Sequence, residues 1–442
     1  MTRVRVSRMK CLVTGAYGFI GSEMVAALQR EGFEVVGCGR DLELGRRILP
    51  GIDWIECDFN NDIEVAQWLP RLAGIDAVVN CVGVLQQTAR DDADRIHAQA
   101  TRALFEACAA AGVKRLVHVS AVSADADMTS AYARSKAKAD AVLARLDMNW
   151  LIVKPSLVIG RGSHGGTSLL RGLAGLPFVL PLSGEAKERF QPIAIDDLAI
   201  GIAALVAKDA PARVTLHAAG PETASVRDIL VSYRAWLGFR PAREVKVPLP
   251  LLRVALAFGD AAGWLGHASA ARTTSLTQMR YDTLVDGAEF ARASGVPVKS
   301  FTETLRAWPA TLQYRLHARS YFAVTLLHVT LALFWILTGA FTLLPRSFAS
   351  ATAMVTEAGV GAGFARLLVG AASIADVVLG VLFLVPGWVR RAGAAMLALS
   401  AVYLFGLSAI APGLWTGHFD PLLKVLPMMA AILVVMAHQE KR

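Results

Sequence analysis

Short apolar runs ended by glycine or polar residues alternate with longer amphipathic stretches through the first third of the chain. This rhythm predicts strands and helices in succession. Strands are predicted at Cys11–Thr14, Glu34–Cys38, Asp53–Cys57, Ala77–Cys81, Arg115–Ser120 and Trp150–Lys154. Helices fit between them, among others at Glu23–Arg30, Ile96–Ala111 and Ser130–Leu146. The alternation specifies an α/β fold, a doubly wound parallel sheet with right-handed crossovers, whose ligands bind at the carboxyl ends of the strands. This Rossmann domain is expected over residues 1–160. From residue 161 the rhythm loosens. A glycine-rich stretch at 161–166 is followed by shorter elements punctuated by Pro177, Pro181, Pro192 and Pro221. Residues 161–310 read as a small substrate lobe with strands returning to the Rossmann core.

After a linker at 311–319 the pattern changes again. Tyr321–Leu344 is an uncharged run of 24 residues, long enough for the ~30 Å hydrocarbon core of a bilayer. Three more apolar stretches follow, so residues 320–442 are expected to form a four-helix transmembrane bundle with helices at about 321–344, 364–385, 392–410 and 422–437. Arg315, Arg319, Arg390, Arg391, Lys441 and Arg442 then fall on one side and Arg346 on the other. That bias predicts a bacterial-type inner membrane protein with the Rossmann domain and both termini cytoplasmic.

Composition agrees with this division. Hydrophobic residues make up 54% of the 442 positions and charged residues 18%. The net charge of +9 is explained largely by cations flanking the spans, and no basic stripe suggests nucleic acid. All five cysteines (Cys11, Cys38, Cys57, Cys81, Cys108) lie in the first quarter without metal-ligand spacing, so they read as small buried hydrophobes in a reducing compartment. The basic start before Cys11 resembles a signal peptide only superficially, since the apolar run becomes the first strand; residues 1–8 are expected to be a disordered extension.

Three local patterns carry chemistry. Thr14-Gly15-Ala16-Tyr17-Gly18-Phe19-Ile20-Gly21 follows the first strand and opens a helix, the arrangement that brings backbone N–H groups to a pyrophosphate. Gly15 is expected to make the turn, Gly18 to admit the phosphates and Gly21 to let the helix pack on the sheet. Tyr132 and Lys136 lie four residues apart, on one face of the helix after the fifth strand. Such a pair is commonplace on helix surfaces, but here it falls at the ligand edge of the sheet, where a lysine cation would favour the phenolate. The second strand ends in Arg40 rather than an acid, which favours NADP(H) over NAD(H), with Asp41 one place later as the contrary sign. His97, His118 and His164 have no mutual metal spacing and read as helix, core and loop residues. In the membrane part, Asp376 and Lys424 are expected to face the bundle interior or the interface, as a polar pocket, an ion pair or helix–helix glue.

The glycine motif, Asn80-Cys81-Val82-Gly83 and the YxxxK pair resemble the short-chain dehydrogenase/reductase superfamily. Val78–Leu85, Val117–Asp125, Ser130–Ala137, Lys154–Gly160 and Phe190–Leu198 are similar to the atypical group around the NADPH-binding accessory subunit of respiratory complex I. Asp376–Gly380 and Asp420–Pro427 resemble the DoxX-like membrane family. The resemblance implies that Gly15, Tyr17, Gly18, Phe19, Ile20 and Gly21 wrap the pyrophosphate, with Thr14 at the strand end. It implies that Asp58 meets the adenine, that Val82 and Gly83 line its ribose side, and that Lys136 holds the nicotinamide ribose with Pro155, Ser156 and Val158 near the ring. Ser120 is the family's strand-end serine, but Ala121 and Val122 stand where a catalytic hydroxyl is usual, leaving Ser123 as the substitute. The chain is therefore expected to be a membrane-anchored NADP(H)-dependent oxidoreductase. Its catalytic residues would be Tyr132, Lys136 and Ser123 or Ser120, acting on a carbonyl, alcohol or quinone-related lipophilic substrate. The alternative is a non-catalytic nucleotide-binding subunit of a membrane complex.

Overall fold

The computed structural model describes residues 9–84, 91–125, 130–162, 164–184, 188–207, 210–264, 271–278, 284–416 and 421–439. The N-terminal extension, Leu85, Asp420, Lys441 and Arg442 lie outside the described residues. The chain divides into two compact units, with the boundary between Ala318 and Arg319.

The first unit is built on seven parallel strands: β1 (Lys10–Thr14), β2 (Glu34–Gly39), β3 (Asp53–Glu56), β4 (Ala77–Asn80), β5 (Arg115–Val119), β6 (Trp150–Pro155) and β7 (Val214–Ala218). Their order is β3-β2-β1-β4-β5-β6-β7, so the sheet reverses direction at β1/β4, where such folds bind nucleotide. Six strands fall where the apolar runs predict them, and β7 returns from the later lobe. Successive side chains point to opposite faces and fill two cores. Cys11 and Val13 join Met24, Val25 and Leu28 on one face; Leu12 joins Val36, Val78, Leu116 and Phe105 on the other. All five cysteines are free thiols, four of them buried. A third core beneath the lobe gathers Leu170, Leu182, Phe190, Tyr233, Phe301 and Trp308.

The second unit is helical. Leu312–Thr342, Ala362–Phe383 and Val389–Ile410 are long and apolar enough to cross a membrane. The fourth expected helix forms at Val425–Ala437, but its 13 residues reach only about 20 Å, short of a bilayer core. A helix at Pro345–Glu357 was not apparent in the hydropathy, because its apolar residues occupy one face only. Residues 312–319, expected as a linker, are instead the first turns of the 31-residue helix. Glycines bring the helices close: a Cβ on Gly380 would lie 2.9 Å from the Ala332 carbonyl oxygen, and one on Gly339 would collide with that of Ser373. Asp376 is buried and accepts a hydrogen bond from Tyr403 Oη at 2.9 Å, while Lys424 is exposed beside the start of the last helix.

Candidate active site

The glycine loop closes on itself before the helix Phe19–Arg30 begins. Gly15 has φ +66°, its N–H donates to Cys38 O at 2.9 Å, and its carbonyl accepts from Gly18 N–H at 2.9 Å. A Cβ on Gly21 would lie 2.1 Å from the Gly15 oxygen, so Gly21 admits the loop itself rather than the sheet. The helix N-cap, Gly18, supplies no side-chain hydrogen bond and the first turn holds no acid, which leaves positive N–H ends for an anion. Thr14 is fully buried and its hydroxyl donates to Asn80 Oδ1 at 2.7 Å, tying β1 to β4 at the reversal point. The same oxygen accepts from Val82 N–H at 3.2 Å and so fixes the turn into Gly83.

Around the tip of β2, Tyr17 takes a place set by packing. Its hydroxyl accepts from the N–H groups of Arg40 (3.2 Å) and Asp41 (3.3 Å), and its ring fills the space a Cβ on Gly39 would need. Asp41 caps the helix Leu42–Ile48 by accepting from Leu44 N–H at 2.9 Å. Arg40 pairs with Asp91 at 2.6 Å. Asp58 accepts from Asn60 N–H and Asn61 Nδ2, holding the turn after β3. Phe19 stacks on His164 and covers Gly160, and Ile20 packs against the core. The two aromatic loop residues thus frame the cleft through their packing.

Tyr132 and Lys136 lie on the helix Ala131–Leu143, capped by Ser130. Lys136 is buried and donates to Val119 O (2.9 Å) and Val82 O (3.3 Å), which sets its ammonium beside Gly83. Burial lowers its pKa to about 8, with Asp140 and Cys81 opposing the shift. Tyr132 is half-buried, and its phenol is pushed up to about 12 by desolvation and then by the Asp140 carboxylate. The expected lowering by Lys136 does not appear among the influences on the phenol, which keeps its proton at neutral pH.

Two partners of this helix escaped sequence reasoning. His97 is buried where the helix leading into Thr101–Ala110 opens into wide π turns over Arg95–Ala100. Its Nε2 accepts from Val84 N–H at 2.9 Å, so Nδ1 carries the proton toward Ser135 Oγ at 2.9 Å, and that hydroxyl donates to Tyr132 O at 3.0 Å. Asp140, one turn beyond Lys136, accepts from Ser120 Oγ at 2.9 Å and pairs with Lys154 at 3.0 Å. Ser120 is thereby engaged by Asp140, while Ser123 sits half-buried in the turn closed by Ala124 N–H on Ala121 O. Asp140 lies on the Tyr132–Lys136 face by helical spacing, the one signal that could have found it.

Burial, then the Lys136 charge, hold His97 and His118 well below the usual imidazole range. The unfolded chain protonates both near pH 6.5 and the native state does not, so stability falls as pH drops below that value, by up to about 1.4 kcal/mol per unit for each. His97→Gln is expected to flatten the stability slope between pH 6.5 and 5 by one proton; an unchanged slope in chemical denaturation contradicts the assignment.

At the carboxyl end of β6, Pro155 closes the strand, its carbonyl accepting from Val122 N–H. Val158 pairs with Ile193 in a short parallel ladder. Ser156 Oγ is buried without a partner among the described residues. That orphan hydroxyl, the uncapped helix start and the side-chain-free Gly83 beside Lys136 fit a nicotinamide dinucleotide.

Residues 11–214 match the NAD dependent epimerase/dehydratase family, and residues 332–433 match the DoxX-like family. The chain is 26% identical to the mitochondrial NADH-ubiquinone oxidoreductase 40 kDa subunit of Neurospora crassa, over 54% of this chain and 63% of that subunit. It is 27% identical to a ceramide reductase of Caulobacter vibrioides, over 56% of this chain and 77% of that enzyme. With a 3-diazoavenalumate denitrifying reductase of a Streptomyces species it shares 32% identity, over 54% of this chain and 86% of that enzyme. The chain thus spans less than two thirds of the Neurospora subunit's length. It belongs to the NAD dependent epimerase/dehydratase family and joins that domain to a DoxX-like membrane-type domain.

Proposed function

We propose that the protein is a membrane-anchored, NADP(H)-dependent reductase of a lipophilic carbonyl compound. The observation that carries this reading is Lys136, held by Val82 O and Val119 O beside Gly83, one helical turn from Tyr132, whose phenol is still protonated. When bound, the cofactor supplies hydride to the substrate's carbonyl carbon. Tyr132 Oη gives its proton to the oxygen as that oxygen gains the C–O electron pair, and an alcohol results. Lys136 orients the ribose and lends positive charge near the phenol as it ionises. Ser123 steadies the substrate oxygen, because Ser120 is engaged by Asp140. Ser156 Oγ, buried without a partner among the described residues, would offer a hydrogen bond to the nicotinamide end of the cofactor.

NADP(H) is favoured by two features. Asp41 is committed to its helix cap, and Arg40 stands at the β2 tip, where a 2′-phosphate would compete for it with Asp91. Arg40→Ala is expected to weaken NADPH binding at least tenfold, the size of one lost charge-assisted hydrogen bond, and NADH binding little. Equal losses in titration calorimetry refute the phosphate assignment.

The apolar spans and the lipid substrate in the name of the Caulobacter relative support a membrane-borne substrate. The cationic flanks support an inner membrane orientation with the catalytic unit in the cytoplasm. Purified protein in detergent, supplied with NADPH, is expected to reduce long-chain ketones faster than quinones or water-soluble aldehydes. A second reading, a nucleotide-holding subunit of a membrane complex, is favoured by the engagement of Ser120 and by the Neurospora relative. Tight NADPH binding with no turnover across that panel selects it.

A further inference from the structure

The turn Pro177–Val179 holds a bulky aromatic in a position that the fold does not need. Phe178 is 85% exposed, and its φ of +66° is a left-handed value that favours glycine. Val179 N–H donates to Pro177 O at 2.7 Å, closing a strained three-residue turn around it. Glycine or asparagine would satisfy this backbone without strain, and the exposed phenyl ring contributes little packing to the unit.

The turn follows the helix Gly165–Gly175, and a Cβ on Gly175 would lie 2.6 Å from Ala318 O. Ala318 belongs to the helix Leu312–Thr342, three residues before the uncharged run that starts at Tyr321. Arg234 binds Ala174 O and Leu176 O at 2.8 Å, and the Phe239 ring lies beneath both Arg234 and Arg315. Arg243 N–H donates to Phe178 O at 2.9 Å, and Val179 and Val245 are exposed along the same two-stranded ladder. Arg234 Nε also donates to Arg240 O at 2.6 Å, so Arg240, Arg243 and Arg315 lie on the segments that border the apolar tip.

We propose that this turn is an interfacial anchor, with Phe178 seated at the headgroup–acyl boundary of an anionic leaflet and the three arginines on lipid phosphates. An aromatic side chain flanked by cations suits that boundary, where its ring is apolar-solvated and the charges meet anionic lipid. The inference rests on the spans lying in a bilayer and is independent of the catalytic reading.

The test uses the full chain in nanodiscs, with Phe178→Cys carrying an environment-sensitive dye. Nanodisc incorporation itself reports that the spans insert, and wild-type protein taken through the same labelling corrects for the native thiols. In phosphatidylglycerol discs the dye is expected to emit blue-shifted, to be quenched by doxyl-labelled lipid and to resist iodide. Arg240→Gln and Arg243→Gln, added one at a time, are each expected to lower the docked-to-undocked ratio about fivefold. Water-like emission quenched only by iodide overturns the proposal. Shielding from both quenchers also overturns it, since the turn is then covered by protein.

Discussion

Tyr132→Phe is expected to lower NADPH-dependent turnover by roughly 100- to 10,000-fold, the range for loss of a general acid, while leaving NADPH affinity within about twofold. The phenol hydroxyl is removed without changing ring volume, and the edge-on contact with His97 persists. The proposed cofactor contacts lie with Lys136 and the glycine loop, so binding and turnover are expected to separate. The phenol's pKa of about 12 keeps the proton in place across the physiological range, which suits reduction. Lys136, at about 8, loses its charge first. The free-enzyme pH profile, kcat/KM, is therefore expected to fall above about pH 8. That limb is expected to persist, at reduced height, in Tyr132→Phe, because it reports the ammonium rather than the phenol. Steady-state rates of the purified protein from pH 6 to 10, with cofactor affinity measured in parallel, check both statements. Wild-type turnover retained in Tyr132→Phe would exclude the proposed acid.

Gly21→Ala is expected to raise the NADPH dissociation constant roughly 10- to 100-fold, the equivalent of about 1–3 kcal/mol for the two loop hydrogen bonds it displaces. The added Cβ would stand 2.1 Å from Gly15 O and 2.9 Å from Ala16 Cα, both backbone atoms. No rotamer can relieve that contact. The loop must move, and its move breaks the hydrogen bonds of Gly15 N–H to Cys38 O and Gly18 N–H to Gly15 O. Strain of this kind also costs about 1–3 kcal/mol of stability. Gly51→Ala is the control, since nothing lies within 4 Å of its Cβ and its φ is ordinary. Fluorescence titration with NADPH and thermal unfolding of both variants separate the binding effect from stability. Wild-type affinity in Gly21→Ala would mean that the loop does not cradle the pyrophosphate.

The parts of the site that were legible share a physical basis. Gly15, Gly18 and Gly21 act within one turn, and Tyr132 and Lys136 within one helical turn, so spacing along the chain is spacing in space. Partners brought from elsewhere left no such trace. His97 reaches Val84 and Ser135, 13 and 38 positions away, and its role depends on π turns that composition does not announce. Ser120 looked like a catalytic hydroxyl because of its place at the strand end. Its direction was settled by Asp140, which Lys154 on the neighbouring strand holds in place. Arg40 was legible as a candidate phosphate partner, but its pairing with Asp91, 51 positions away, left no local trace.

The amino-acid sequence by itself determined the alternating fold, the nucleotide loop, the YxxxK pair and the apolar spans, because each follows from local periodicity and transfer free energy. The tertiary structure alone decided the ionisation of the pair, the fate of Ser120, the length of the last helix and the exposed strain at Phe178. Those depend on desolvation and on contacts between segments far apart in the chain, and a linear pattern contains neither.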